Sequence, residues 1–233
     1  MIKWASVAEA PLSPQPSTLN SFALSAVSPE SVAGWKDLPS IVFAPESYVE
    51  RLDYGAIFPV DRPVEVEIGS GDGSFLAQYA KLHPETNFLG VERLLGRLRK
   101  LDKKARRLAL DNLKIVRIEA AYFTEYLLPP NSVRAVHIYF PDPWPKARHA
   151  KNRLIQPDYL NSVRKALEEN GAIYLRTDDT DYFEQMREVL SETRGLELIE
   201  TPDELAAVTT DFERHFNEQG TATNHAAYRK IPD

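Results

Sequence analysis

A glycine-rich stretch is the first part of the sequence whose residues could do chemistry. Residues 64–68 alternate valine or isoleucine with glutamate, and Gly69, Gly71 and Gly73 follow at every second position. The pattern predicts a strand that runs into a tight turn, because glycine readily adopts positive φ and lets a ligand lie against the backbone. In open α/β sheets, turns of this kind at the carboxyl end of a strand bind nucleotides. Glu67 stands near that end of the strand, where a ligand could reach its carboxylate.

The spacing of the glycines narrows the kind of ligand. The dinucleotide fingerprint is G-x-G-x-x-G, whereas this chain has G-x-G-x-G, with Ser74 where the last glycine should stand. A second apolar stretch, 87–91, ends in Glu92, at about the spacing expected for a carboxylate that binds ribose hydroxyls. A nucleoside site is therefore favoured over a pyrophosphate site, and S-adenosylmethionine fits the pattern at least as well as NAD. The plainer alternative is a βαβ unit whose turn merely needs glycine.

A proline-rich loop after the predicted strand 133–140 carries a second group of chemical residues. Prolines hold the loop out of helix and sheet, and between them stand Asp142 and Trp144, followed by four cations. The loop starts at the carboxyl edge of the sheet, so it should lie beside the glycine turn. An aromatic ring among cations suits an unstacked base and its phosphates. No second histidine or acid accompanies His149 at metal-ligand spacing, so no metal is predicted.

Cations at helical spacing form a third group. They are Arg93, Arg97, Lys100, Lys104 and Arg107. A second stripe of the same helix should face the sheet and is apolar: Leu94, Leu98, Leu101, Ala105 and Leu108. Because the chain has a net charge of −6, a stripe of one sign indicates local contact with a phosphate backbone rather than general binding to polyanions. A solvated helix face is the plainer interpretation.

An α/β sheet is needed to position these groups. Strands are predicted at 63–68, 87–91, 113–118, 133–140, 171–177, 196–200 and 222–229, and helices at 74–82, 93–109, 156–169 and 180–190. Strands separated by helices indicate βαβ units. We therefore predict a doubly wound, mostly parallel, seven-stranded α/β sheet of the Rossmann-like kind.

The rest of the chain bounds the domain organisation. Residues 1–40 are rich in Ser, Pro and Ala and predict a flexible leader before a single domain at 41–233. The polar content of 205–221 suggests a mobile segment. The sequence contains no cysteine, so disulfides and thiolate metal sites are excluded. It has no secretory signal and no apolar run near the ~20 residues that span a bilayer, and we expect a cytoplasmic protein.

Five motifs occur in an order that resembles the bacterial tRNA (guanine-N7)-methyltransferase family, which methylates a variable-loop guanine of tRNA. They are Glu67–Gly73, Phe88–Glu92, Phe140–His149, Thr177–Asp178 and Thr210–Glu213. Many methyltransferases share the first two motifs, whereas F-P-D-P-W-x-K-x-R-H is far more specific. The chain departs from the family pattern at Asn152, Asp211 and Glu119.

The resemblance implies a class I S-adenosylmethionine-dependent methyltransferase fold and a set of roles. Cofactor contacts are expected from Glu67, Gly69, Gly71, Gly73, Glu92, Glu119 and Asp142. Asp142 is also the expected catalytic residue, at the site of methyl transfer. Contacts with tRNA are expected from Lys146, Arg148, His149, Lys151, Asp178, Thr210, Asp211, Phe212 and Glu213. The partners expected are tRNA but no membrane and no metal, with the protein a monomer or homodimer.

Three alternatives remain open from the residues. Pro141–Trp144 loosely matches the signature of methyltransferases that act on exocyclic amines, although its second proline is out of place. A NAD-dependent oxidoreductase is disfavoured by the glycine spacing. A non-catalytic RNA-binding protein on the same fold is disfavoured because Glu67, Glu92 and Asp142 are all present.

Overall fold

The computed structural model describes residues 34–232, in which strands and helices alternate. The strands are Val42–Phe43 (β1), Val64–Ile68 (β2), Asn87–Val91 (β3), Leu113–Val116 (β4), Val133–Tyr139 (β5), Leu167–Thr177 (β6), Leu196–Ile199 (β7) and Asn224–Lys230 (β8). The helices are Tyr54–Ile57 (α1), Leu76–Leu82 (α2), Leu95–Arg107 (α3), Ala120–Tyr122 (α4), Pro157–Ala166 (α5), Thr180–Glu192 (α6), Asp203–Ala207 (α7) and Asp211–Glu218 (α8). A π-helical turn, Phe123–Leu127, continues α4, and 3-10 turns occur at Trp35–Asp37 and Ala147–Asn152.

The strands of the described residues form one sheet in the order β1-β4-β3-β2-β5-β6-β8-β7. All pairs are parallel except those of β8, which is antiparallel to both of its neighbours. The seven predicted strands are all present, and the two-residue β1 adds an eighth at the edge. The chain runs outward from β2 to β4 and then returns to the other side of β2 for β5. The loops after β2 and β5 therefore meet at the switch point, where open α/β sheets bind ligands.

The two faces of the sheet differ in chemistry. Successive side chains of a strand point to opposite faces, so the alternation in β2 puts its valines and isoleucine on one face and its glutamates on the other. The aliphatic face packs against α5 and α6 and forms the larger core cluster. The other face carries a row of polar and aromatic side chains from β2, β5 and β6: Glu65, Glu67, His137, Tyr139, Tyr174 and Arg176. Phe75 and Tyr79, beside and within α2, cover this row through ring contacts.

Glu65 illustrates how this second face holds charge. The structure buries it and gives it two partners: Arg134 donates to Oε1 at 2.7 and 2.9 Å, and His137 Nε2 lies 2.9 Å from Oε2. Buried charges persist in proteins when they are paired in this way.

Several predicted boundaries were wrong. The helix predicted at 156–169 ends at Ala166, because Leu167 has an extended backbone and begins β6. Asn170, whose φ of 64° is left-handed, lies within β6 where its pairing with β5 is irregular. The helix predicted from residue 93 begins at Leu95. Leu94 is consequently the N-cap and is 47% exposed, so it does not face the sheet. The segment 205–221, whose polar content suggested mobility, contains part of α7 and all of α8, and its mobility stays a prediction.

Most of the predicted leader, residues 1–33, lies outside the described residues. The described remainder contains Trp35, whose ring lies beneath three cations of α3 at 5.0–6.0 Å. The domain boundary at 40 stays a prediction. Within residues 34–232, no helix combines the length and the apolar character needed to cross a membrane.

Candidate active site

A cleft of about 900 Å³ opens at the carboxyl ends of β2, β3 and β5. Its walls come from the glycine turn after β2, the β3–α3 connection, the residues before α4, the proline loop after β5, and the start of α8. Nine of the predicted site residues line it: Glu67, Gly69, Gly71, Glu92, Glu119, Asp142, Thr210, Asp211 and Phe212. The glycine turn and the proline loop therefore open onto a common cavity, as the sequence predicted.

The three glycines of the turn share a backbone conformation, but Gly69 and Gly73 have different surroundings. All three have positive φ, between 56° and 74°, a region that L side chains rarely adopt. A Cβ built on Gly69 would meet nothing within 4 Å, so this position keeps the floor of the cleft open. A Cβ on Gly73 would lie 2.1 Å from Leu101 Cδ1, and Gly73 does not line the cleft. Gly73 is therefore required for packing of the turn against α3.

Glu67 presents a buried acid to the cleft. Its side chain is 4% exposed, and among the described residues no group bonds to its Oε2 atom. Burial raises the pKa of Glu67 to about 8, even though Arg176 favours the ionised form. Buried polar atoms normally have partners, so an orphaned carboxylate oxygen in a cleft indicates a missing donor. A cationic group of a ligand would supply that donor.

Two further carboxylates face the same space. Glu92 accepts hydrogen bonds from the Gly71 N–H at 3.0 Å and from the Leu94 N–H at 2.6 Å, so it joins the glycine turn to the start of α3. Glu119 is the N-cap of α4 and accepts two N–H groups of the first turn at 2.8 and 3.0 Å. A carboxylate oxygen can accept more than one hydrogen bond, so both residues can still bind hydroxyl or amino groups.

The proline loop is held in one shape. Phe140 and Trp144, at either end of the Asp142 segment, have left-handed φ values of 50° and 44°. The Trp144 N–H donates to Asp142 Oδ1 at 3.1 Å, and Arg153 Nε donates to the Pro143 carbonyl at 2.8 Å. Non-glycine residues in this region cost energy and persist where the surroundings enforce them, commonly at functional sites. Arg153 is the last of the four cations that follow Trp144, and its bond to the loop's own backbone is not visible in the sequence.

The start of α8 forms the wall of the cleft next to the proline loop. Thr210 and Glu213 form a capping box, in which each side chain accepts the other residue's backbone N–H. The Asp211 N–H donates to Ser74 Oγ at 3.2 Å, which joins α8 to the end of the glycine turn. The ring of Phe212 stacks on that of Phe140 with centroids 5.9 Å apart, which joins α8 to the proline loop.

Glu213 lies behind this wall rather than in it. It is buried, it does not line the cleft, and its Oε2 accepts a bond from Arg176 Nη1 at 2.7 Å. Its carboxylate is thus engaged by the protein. The local motif Thr210–Glu213 does not reveal that Glu213 is buried or that it pairs with Arg176 on β6.

The cations of the predicted stripe, on α3 and just before it, have different surroundings. Arg93, Arg97 and Lys100 line the cleft and are exposed. Lys104 is half-buried, and burial lowers its pKa. Arg107 stacks on Trp35 at 5.0 Å from the ring centroid. The part of the stripe that is available to a polyanion at the cleft is its amino-terminal half.

The remaining predicted residues lie outside the cleft wall. Four sit in or beside the 3-10 turn that follows the proline loop: Lys146, Arg148, His149 and Lys151. The His149 ring makes an edge contact with the ring of Trp144, which does line the cleft, at 5.7 Å. Asp178 is half-buried after β6 and does not line the cleft. Within the described part of the chain, no three His, Asp or Glu side chains are grouped to hold a metal ion.

The polar groups that line the cleft fit S-adenosylmethionine. The unpartnered carboxylate of Glu67 matches an ammonium group, and the open glycine turn leaves room for a nucleoside. Glu92 and Glu119 have spare acceptor capacity for the nucleoside's hydroxyl and amino groups. A pyrophosphate would instead face three acids, which disfavours a dinucleotide.

Comparisons with known proteins agree with this reading. Residues 61–226 match the model of a family described as "Putative methyltransferase". The chain is 36% identical over 184 residues to a tRNA (guanine-N(7)-)-methyltransferase of Thermotoga maritima, covering 77% of this chain and 58% of the relative. It is 34% identical to the enzyme of the same name from Cronobacter sakazakii, covering 80% and 79% of the two chains. The chain thus spans less than two thirds of the length of the Thermotoga relative.

The fold has solved counterparts. The crystal structure of the 16S rRNA methyltransferase KamB aligns with a TM-score of 0.57 and 16% identity, covering 78% of this chain and 95% of that one. A structure described as an antibiotic-related methyltransferase aligns with a TM-score of 0.55 and 18% identity, covering 83% and 97%. At such identities the likeness establishes the fold, a class I methyltransferase sheet.

Proposed function

The chain belongs to the tRNA (guanine-N7)-methyltransferase family, and we propose that it transfers a methyl group from S-adenosylmethionine to N7 of a guanine in the variable loop of tRNA. One observation carries the proposal: the glycine turn and Asp142 line one cleft that has three cations along its wall. The relatives supply the reaction class, and the cleft supplies a place where cofactor and RNA can meet.

Three acidic residues would hold the cofactor. We assign the orphaned oxygen of Glu67 to the cofactor's ammonium group, Glu92 to the ribose hydroxyls and Glu119 to the adenine. Gly69 and Gly71 leave room for the nucleoside against the backbone. When bound, the cofactor supplies an electrophilic methyl group on a sulfonium centre.

The acceptor chemistry demands alignment more than proton transfer. Guanine N7 carries an in-plane lone pair, and no proton has to leave when it is methylated. A general base is therefore unnecessary, and the site must orient the base and manage charge. Asp142 keeps acceptor capacity beyond its bond to the Trp144 N–H, and we assign it to the N–H edge of the guanine. The rigid loop around it fixes where that edge lies.

The RNA backbone would follow the cations. Arg93, Arg97 and Lys100 line the cleft, and Lys146, Arg148, His149 and Lys151 surround the adjoining 3-10 turn. Trp144 and the stacked pair of Phe140 and Phe212 offer aromatic surfaces for an extruded base.

The direct test is methyl transfer to an unmodified tRNA transcript with labelled cofactor, followed by nuclease digestion and mass spectrometry. We expect label as 7-methylguanosine from the variable loop. A transcript that carries 7-deazaguanine at that position should accept no label, because it lacks the N7 lone pair. Transfer to the deaza transcript would instead indicate an exocyclic amine as acceptor, and no transfer to either would refute the proposal.

Asp142→Asn tests the role of the acid. If Asp142 aligns the guanine in the transition state, kcat should fall by roughly a hundredfold with cofactor affinity little changed. Near-full kcat with only a raised KM for tRNA would exclude that role. Asp158→Asn is a suitable control, because that residue is exposed in the first turn of α5 and does not line the cleft.

A further inference from the structure

Arg176 is the largest fully buried side chain among the described residues, and none of the proposed roles uses it. It sits on β6, 1% exposed, in a central strand that is otherwise mostly apolar. A charge of this kind needs partners that satisfy its donors, since leaving it unpaired would be costly. Its partners therefore show what it is for.

The guanidinium group binds three points of one segment. Nη1 donates to the Val208 carbonyl and to Glu213 Oε2, both at 2.7 Å, and Nη2 donates to the Leu205 carbonyl at 2.6 Å. The planar fork of an arginine suits such a set, which a lysine could not reproduce. The group also lies over the ring of Tyr139, 4.4 Å from its centroid. The three bonds go to α7, to the residue that follows it and to the first turn of α8.

The bonded segment is the one that walls the cleft. Thr210, Asp211 and Phe212 line it, and they stand between the Val208 carbonyl and Glu213. Glu213 Oε2 also accepts the Thr210 N–H at 2.8 Å, so the acid that pairs with Arg176 also caps α8. The turn is thus fixed on both sides of its cleft-lining residues.

We propose that Arg176 is a positioning residue for the base-binding wall of the cleft, which it holds in register through Glu213 and two backbone carbonyls. The proposal rests on the proposed function for the identity of the substrate. It assigns Glu213 to the support of Thr210 and Phe212 rather than to contact with RNA. Arg176 itself touches neither cofactor nor guanine.

A paired substitution is the cleanest test. Arg176→Gln alone would leave Glu213 buried without its partner and could prevent folding, so Arg176→Met is combined with Glu213→Gln. The control is Arg134→Met with Glu65→Gln, which removes the partly buried ion pair on β2 and β5 that does not line the cleft. Both proteins are compared with wild type at a temperature where each is folded.

Two readouts separate positioning from general weakening. In the Arg176 variant, amide hydrogen exchange of residues 208–213 should accelerate by roughly tenfold or more, while the exchange of β2 stays unchanged. With tRNA, kcat/KM should fall by roughly tenfold to a hundredfold, with a much smaller loss of cofactor affinity. The control should retain both the slow exchange at 208–213 and its kcat/KM.

Other outcomes would overturn the proposal. If exchange at 208–213 is unchanged, Arg176 does not hold the wall; if the control loses kcat/KM equally, the effect is one of stability. A wild-type protein that fails to methylate tRNA would refute the proposed function, while the exchange experiment would still decide whether Arg176 fixes this wall.

Discussion

Replacing Glu67 with glutamine should change how the stability of the ligand-free protein depends on pH. The pKa of Glu67 is about 8 in the fold, against an ordinary value of 4.5. Between these values an unfolded chain has lost the proton that the folded chain retains. The free energy of unfolding should therefore fall as pH rises through this window, and Glu67→Gln removes that contribution.

The magnitude follows from the size of the shift. Each pKa unit corresponds to about 1.4 kcal/mol, so the carboxyl group lowers the free energy of unfolding by roughly 5 kcal/mol in total between pH 4.5 and 8. Below this window both states are protonated, and above it both are ionised. The difference in unfolding free energy between the variant and wild type should accordingly grow with pH and level off above pH 8.

Urea unfolding at intervals from pH 5 to 9 measures this difference. Glu65→Gln is the internal control, because Glu65 also lies buried on β2 but its pKa is lowered. Burial raises the pKa of Glu65, yet its bonds to His137 and Arg134 outweigh this effect. Stability from Glu65 is therefore lost only in acid, and the control should run parallel to wild type above pH 6. A Glu67→Gln difference that stays constant from pH 5 to 8 would refute the reasoning.

Further substitutions test other parts of the site. Gly73→Ala should lower the free energy of unfolding by about 2–4 kcal/mol, because backbone strain adds to a clash with α3, whereas Gly69→Ala should cost only about 1 kcal/mol; equal losses in urea unfolding would contradict the packing role. Arg97→Ala combined with Lys100→Ala should reduce the salt dependence of tRNA binding by about two charges, measured by filter binding over a salt series, and an unchanged slope would mean that these side chains are only solvated. Arg153→Met should free the proline loop and lower kcat/KM for tRNA by roughly tenfold, and unchanged kinetics would show that the loop holds its shape without it.

The sheet and the meeting of the two loops were predictable from the sequence. The alternation in 64–68 and the glycines after it mark a strand and its turn. Parallel connections then require the loops after β2 and β5 to meet at the switch point. The cleft position of Asp142 follows from that rule, and the structure confirms it.

The support of the site was not predictable in the same way. Arg176 stands in an apolar strand, which signals a buried and paired charge, but its partner Glu213 is 37 residues further along the chain. Helix α8 has only eight residues, which is too short to show a clear helical periodicity in the sequence. Its capping box, Thr210 and Glu213, did not lead to a predicted helix. Leu94 matched the apolar stripe by spacing, yet the helix begins after it. In each case tertiary packing decided what the local pattern could not.

The division of the sheet into an aliphatic and a polar face has a consequence for how such a chain can diverge. Valines and isoleucines on one side secure the sheet against α5 and α6. The polar and aromatic strand residues of the site and its support, Glu67, Tyr139 and Arg176, stand on the other face, although Ile68 and Val91 of the aliphatic face also reach the cleft. Substitutions that change substrate selectivity can accumulate on the polar face while the aliphatic face stays intact. New specificities can therefore arise in chains that still fold.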